Sequence, residues 1–77
     1  MERYQDEIKA HLMATDDTFR RLAEEHAEHH KRLEALEAKT HLTNEEQVEE
    51  HRLKKIKLRL KDQMIDMMAR YKAQHVA

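Results

Sequence analysis

The stretch KTHLTNEEQ, residues 39–47, contains the one point at which a long helix is predicted to turn back on itself. Thr43 and Glu46, three residues apart, form a capping box, in which each side chain accepts a hydrogen bond from the backbone N–H of the other residue. Leu42, just outside the box, is placed to pack back onto the new helix. The pattern therefore predicts a second helix over about residues 44–74.

An alternating apolar pattern in the first half of the chain predicts one face of a long helix over about residues 3–39. Thr15 or Asp16, in the stretch ATDDTF, can cap a new helix and so break this one near residue 15. We predict an all-α fold, an antiparallel helical hairpin with a short turn at about 40–43, in a single domain over residues 1–77. The apolar face comprises Ile8, Leu12, Thr15, Phe19, Leu22, His26, His29, Leu33 and Leu36.

Composition supports helices and limits the kinds of site that the chain can hold. Its 77 residues include no Gly and no Pro, which sheets and tight turns normally need and helix interiors exclude. The lack of Cys excludes disulfides, thiolate nucleophiles and cysteine-type zinc fingers. The N-terminus is charged from its second residue, and no run approaches the ~20 apolar residues of a membrane span. We therefore expect a soluble cytoplasmic protein without membrane attachment.

The second predicted helix carries two apolar stripes, one more than a hairpin needs. Its main stripe faces the first helix, whereas Leu58 and Ile65, seven residues apart, point to a different side. A second stripe suggests a further helix that packs against it, either the N-terminal segment or another chain. We predict self-association through this side, with a dimer favoured, into a four-helix bundle, and an additional protein partner. The main stripe comprises Leu53, Ile56, Leu60, Met64, Met67, Met68 and Tyr71.

Charge is distributed unevenly between the two halves of the chain. Residues 1–50 contain seven basic and fourteen acidic residues, a net charge of −7, and residues 51–77 contain eight basic and two acidic residues, a net charge of +6. The halves should attract each other in a hairpin, although exposed ion pairs contribute only about 0.2–1 kcal/mol each. The groups expected at similar levels are Glu24, Glu25 and Glu28 on one helix and Lys54, Lys57 and Lys61 on the other.

A basic segment of the second helix is the candidate for contact with nucleic acid. Its six cations, within residues 52–61, can neutralise several phosphates. They spread over most of the helix circumference, however, no aromatic residues interleave with them, and the net charge of the chain is −1. We expect a solvated face rather than a nucleic-acid site. The six residues are Arg52, Lys54, Lys55, Lys57, Arg59 and Lys61.

The segment LKKIKLRLKDQM, residues 53–64, resembles the signature of the YdcH-like family of small bacterial proteins, in which Leu-Lys-Lys-x-Lys-Leu-x-Leu-Lys-Asp-Glu opens the second helix. Phe19, Leu22 and His26 are similar to family positions that typically hold Phe, Leu and His, so the resemblance covers roughly residues 4–70. It implies a helical hairpin of unassigned function, with no catalytic residues to carry over.

The stretch HAEHH, residues 26–30, brings His26, His29 and His30 together in sequence. Histidines four residues apart can present ring nitrogens to one divalent transition metal, but zinc needs three or four ligands, which a symmetric dimer could supply. Alternatively, protonation of a buried histidine would destabilise the helix seam as the pH falls toward 5. The third interpretation, which we favour, is partly buried histidines at the edge of the seam and no cofactor.

Catalysis is not expected from this sequence. It has no nucleophile elbow and no Gly-rich phosphate loop, and its carboxylates lie on solvated helix faces. A helical hairpin also offers little concavity from which water is excluded. We predict a small non-catalytic interaction or assembly module that presents amphipathic helix faces to itself and to a protein partner. The alternatives are a histidine-dependent metal-binding or pH-responsive bundle and a nucleic-acid accessory protein.

Overall fold

The structure, a computed structural model, describes the backbone of residues 2–75 and the side chains of residues 5–75. Three helices follow one another: α1 over Glu2–Thr15, α2 over Asp17–Glu37 and α3 over Asn44–His75. Only the junction between α1 and α2 and the turn before α3 are non-helical in this part of the chain. The predicted all-α hairpin is therefore confirmed, together with the break in its first helix.

The break between α1 and α2 is centred on Asp16, whose backbone is extended (φ −119°, ψ 111°). Its carboxylate accepts a hydrogen bond from the N–H of Phe19 at 2.9 Å, as an N-cap residue does. The Arg20 guanidinium donates to the carbonyls of Met13, at 3.0 Å, and Ala14, at 3.3 Å. These contacts satisfy backbone groups that a helix end leaves without partners, so the chain changes direction here at little energetic cost.

α1 folds back over the open end of the hairpin, opposite the turn. Ile8 and Leu12 pack against Phe19 of α2 and Met64 of α3, and all four side chains are buried. Phe19 is completely inaccessible to solvent. The hairpin therefore carries a third helix at this end rather than one continuous first helix. Partly buried side chains around the cluster are Met13, Leu22, Ala23, Met67, Met68 and Tyr71.

The turn between α2 and α3 is fixed by the predicted capping box. The Thr43 hydroxyl accepts from the N–H of Glu46 at 3.1 Å, and the Glu46 carboxylate accepts from the N–H of Thr43 at 3.0 Å. α3 begins at Asn44, as expected, while α2 ends at Glu37, two residues before the expected end of the first helix. Lys39 also forms an ion pair with Glu46, which holds the turn against α3.

Ion pairs between α2 and α3 differ from those that the charge pattern suggests. Arg32 donates two hydrogen bonds to the Glu49 carboxylate, at 3.0 and 2.8 Å, and the Lys54 ammonium lies 4.0 Å from a carboxylate oxygen of Glu37. The register places Arg32 of α2 opposite Glu49 in the acidic start of α3, and Glu37 at the end of α2 near Lys54. Within residues 5–75, no ion pair joins the lysines of α3 to Glu24, Glu25 or Glu28.

The folded chain is elongated, measuring 52 × 21 × 18 Å. α2 and α3 run antiparallel along its length, and α1 covers part of one end. None of the helices described over residues 2–75 is both long enough and apolar enough to cross a membrane.

Candidate functional site

Three large apolar side chains of α3 are exposed among residues 5–75: Val48 near its start, and Leu58 and Ile65, which lie seven residues apart on one stripe. Leu58 is 60% exposed and Ile65 is 52% exposed. α1 does not cover them, because it packs on the neighbouring side of α3, against Met64 and the partly buried Met67 and Met68. The structure thus leaves the predicted interaction surface uncovered by the described part of the chain.

An open groove of about 930 Å³ runs beside this exposed stripe and has walls from all three helices. Its apolar lining includes the buried Leu33 and Met64 and the half-buried Met68, while Leu58 and Ile65 form an exposed edge. The remaining lining residues are Gln5, Asp6 and Lys9 of α1, His26, Ala27 and His30 of α2, and Lys54, Lys57 and Lys61 of α3. The groove therefore combines an apolar floor with polar walls.

Among the side chains of residues 5–75, four lysines and a single carboxylate, that of Asp6, line this groove. Three of the lysines belong to α3 and follow one another at intervals of three and four residues, which places them on successive turns of one helix face. Lys9 is added from α1. The site is therefore cationic although the net charge of the whole chain is −1.

The four lysines differ in how they are held. The Lys57 ammonium donates to Nδ1 of His30 at 2.6 Å, and Lys54 lies 3.8 Å from a carboxylate oxygen of Glu50. By contrast, Lys9 and Lys61 form no ion pair or hydrogen bond with any side chain of residues 5–75. Two positive charges of the groove are thus not compensated by direct contacts within the described chain.

His26 is half-buried in the wall of the groove. Burial lowers the pKa of its imidazole below the usual value of 6.5, and the nearby Lys57, His30, Lys61 and Lys9 lower this pKa further. Both causes disfavour the charged ring, since burial removes water from it and the lysines repel it. His26 therefore senses the positive potential that the lysines of α1 and α3 create together.

The other two histidines of HAEHH have separate local partners. Nδ1 of His29 lies 2.7 Å from the Glu25 carbonyl oxygen, to which it donates. His30 accepts from Lys57 through Nδ1, and its Nε2 contacts the Glu34 carboxylate. Among the side chains of residues 5–75, no three His, Asp or Glu groups are arranged to hold a metal ion.

The basic segment found in the sequence divides between two surfaces. Lys54, Lys57 and Lys61 line the groove, whereas its other cations are exposed on faces outside it. Sequence reasoning missed Lys9, because its position depends on α1 folding back after Asp16. One sequence signal could have found it. An N-cap residue at the break, together with apolar residues on α1, indicates that α1 is a separate helix that packs back onto the hairpin. The cations outside the groove are Arg52, Lys55 and Arg59.

Comparison with known proteins gives one family match. A family model described as "Protein of unknown function (DUF465)" matches residues 19–68, which run from the first turn of α2 into the second half of α3. The match therefore includes the hairpin and two walls of the groove, and α1 lies outside it. No curated protein and no solved structure matches the chain.

Proposed function

The chain belongs to the DUF465 family of proteins of unknown function, and from that premise we propose that it is a small non-catalytic helical interaction module. The observation that supports this is the exposure of Leu58 and Ile65, which persists although α1 has already packed against the adjacent side of α3. Large apolar side chains left together on a small helical protein favour association with another helix. We propose association both with a second copy, most simply as a dimer, and with a separate protein partner.

Further parts of this proposal rest on the sequence. We propose a cytoplasmic location. We also propose no cofactor and no catalytic reaction for the module, because the sequence contains no cysteine and no Gly-rich phosphate-binding loop. We also propose a relationship to the YdcH-like proteins, which rests on the similarity of residues 53–64 to their signature.

Self-association through this face must overcome repulsion between like charges. A two-fold interface brings the same surface patch of two copies together. Lys61 lies between Leu58 and Ile65 in sequence and lines the same groove, so it would approach its own symmetry mate. We therefore expect the dimer to be weak at low salt and to strengthen as salt screens the lysines.

Sedimentation velocity of the full chain tests this proposal. We expect the sedimentation coefficient to increase between about 1 and about 200 µM protein, more strongly at about 0.5 M than at about 0.05 M salt. The double variant Leu58→Ser with Ile65→Ser should remain monomeric with unchanged helix content. Val48→Ser is the matched control, because Val48 is 59% exposed and lies outside the groove.

Two results would contradict the proposal. A wild-type chain that stays monomeric over this whole range would overturn self-association. A loss of association in Val48→Ser as large as that in the double variant would show that the groove side of α3 is not the interface.

A further inference from the structure

We propose that the groove between the three helices binds an acidic amphipathic helix of a separate protein. The inference rests on the proposed function and makes it more specific, because it gives the partner's secondary structure and the sign of its charge. Three features carry it: the length and apolar floor of the groove, the spacing of its lysines, and the incomplete compensation of their charge.

The dimensions of the groove suit a helix. Its wall on α3 extends from Lys54 to Met68, which is about 21 Å at a rise of 1.5 Å per residue. A helix of about four turns covers that distance. The buried Leu33 and Met64 and the exposed Leu58 and Ile65 offer apolar contacts along it, as grooves that receive amphipathic helices do.

The lysines determine which helix fits. Lys54, Lys57 and Lys61 occupy successive turns along one wall, so each can meet a carboxylate placed once per turn on the partner. Lys9 approaches from α1 on another wall. A partner with glutamate or aspartate beside its apolar stripe would satisfy these charges, whereas a basic helix would be repelled.

Two of these charges are available without breaking a contact. Lys9 and Lys61 have no ion-pair partner among residues 5–75, and the hydrogen bond to His30 holds Lys57 in place. Burial is the main cause of the lowered pKa of His26, and the same lysines lower this pKa further, as a positive potential in the groove would. Carboxylates that enter the groove would thus gain favourable electrostatic interactions at a prepositioned site.

The same features argue against two other occupants. A second copy would present an equally cationic surface, because a two-fold interface pairs a patch with itself, so the dimer proposed above is the weaker of the two associations at low salt. A nucleic acid would leave the apolar floor uncovered, and among residues 5–75 no Phe, Tyr or Trp side chain lines the groove for base stacking. An acidic helix is the occupant that matches both the floor and the walls.

A synthetic peptide titrated into the full chain tests the inference. The probe is a fluorescein-labelled peptide of about 18 residues, blocked at both ends, with leucines at i, i+4 and i+7 and glutamates on both flanks. A matched peptide carries lysine in place of every glutamate. We expect one glutamate peptide to bind per chain, with an affinity that falls as salt rises, and no binding of the lysine peptide up to about 1 mM.

Charge-reversal variants inside and outside the groove then locate the peptide-binding site. Lys57→Glu with Lys61→Glu should weaken binding of the glutamate peptide at least about tenfold, since carboxylates would face carboxylates. Lys55→Glu with Arg59→Glu makes the same change in net charge on the same helix but outside the groove. This control should weaken binding less than about threefold. Circular dichroism should show equal helix content in both variants.

Each alternative outcome has a defined meaning. Equal binding of both peptides, or equal losses in both double variants, would overturn the inference, because binding would then not depend on the lysines of the groove. Tighter binding of a single-stranded RNA of about 20 nucleotides, sensitive to Lys57→Glu with Lys61→Glu, would assign the groove to nucleic acid instead. Concentration-dependent dimers at low salt that the peptide does not dissociate would assign it to a second copy.

The inference and the proposed function can fail separately. If the chain self-associates through Leu58 and Ile65 but the glutamate peptide shifts no NMR resonance of the groove, the inference is wrong and the interaction module stands. If the chain neither self-associates nor binds the peptide, both are wrong.

Discussion

The two ends of the hairpin are closed in different ways. At the turn, the contacts are local: the Thr43–Glu46 capping box and the Lys39–Glu46 ion pair join residues at most seven positions apart. At the open end, the contacts join distant parts of the chain, because Ile8, Phe19 and Met64 belong to three different helices. The turn itself is therefore closed by hydrogen bonds that short sequence patterns encode, with Leu36 fully buried beside it, whereas the open end is closed by apolar burial between three helices.

This difference explains where the groove forms. A two-helix hairpin presents flat or convex faces, whereas a third helix laid along it creates a concave surface between three walls. α1 packs against only one side of α3, so the groove remains open where Leu58 and Ile65 emerge. The end closed by long-range contacts is thus the end that provides a candidate binding site.

The largest expected effect comes from removing the side chain at the centre of the open end. Phe19→Ala should lower the free energy of unfolding by about 3–5 kcal/mol, because Phe19 is fully buried among three helices and its loss leaves a cavity. Urea unfolding followed by circular dichroism measures the change. Phe19→Leu is the control and should lower the free energy of unfolding by clearly less. A loss below about 1 kcal/mol in Phe19→Ala would mean that the three-helix junction contributes little to stability.

The second prediction separates α1 from the hairpin. Ile8→Ala with Leu12→Ala should release α1, with a loss of about 2 kcal/mol or more, because each variant removes a buried anchor on a short helix. Hydrogen exchange should then accelerate in residues 2–15 while the amides near Leu36 keep their protection. Leu36→Ala, a substitution near the turn, should not accelerate hydrogen exchange selectively in α1. Uniform loss of protection after the double substitution would show that the two ends unfold together.

The sequence predicted the turn end more completely than the open end. Thr43 and Glu46 could be paired from their spacing because a capping box is formed within four residues. The break near Asp16 could also be predicted, since it depends on one capping side chain. The direction that α1 takes after this break depends on contacts with α3, which local patterns do not contain.

The candidate site likewise combines residues that the sequence predicts with residues that only the fold brings together. Leu58 and Ile65 could be identified from helical periodicity as a stripe that the hairpin does not need. Lys9 could not be assigned to the groove, because it joins Lys57 and Lys61 only through tertiary packing. The expected ion pairs also changed, since a shift of a few residues in register alters which charges face each other.

The third prediction tests the local closure of the turn. Thr43→Ala should lower the free energy of unfolding by about 1 kcal/mol, because it leaves the N–H of Glu46 without its capping acceptor. Thr43→Ser keeps the hydroxyl and should retain most of the stability. Thermal unfolding of the two variants measures the difference. Equal melting temperatures for the alanine and serine variants would show that the capping hydrogen bond is not what stabilises this end.

The smallest expected effects are those of pH, and the two ends should respond in different ranges. Hydrogen bonds from Lys39 and from the Thr43 N–H lower the pKa of Glu46 to about 2, so its stabilising contribution is present above the usual value of 4.5 and lost as the pH falls toward 2. The pKa of His26 is also lowered, chiefly by burial, so the neutral ring favours the folded state. Because the unfolded chain binds that proton more readily, this contribution declines once the pH falls below 6.5.

As the pH falls, the open end should therefore lose stability at a higher pH than the turn does. Between pH 7 and pH 5, the melting temperature of the wild-type chain should fall more than that of His26→Gln, which has no titrating ring at this position. The sign follows first from burial, which disfavours the charged ring of His26, and then from the positive charges near it, which repel that ring. An acidic peptide in the groove would oppose that repulsion and raise the pKa of His26, which NMR titration of its ring protons detects. An identical pH dependence in the variant, or a peptide that binds without moving this titration, would show that His26 does not sense the charge of the groove.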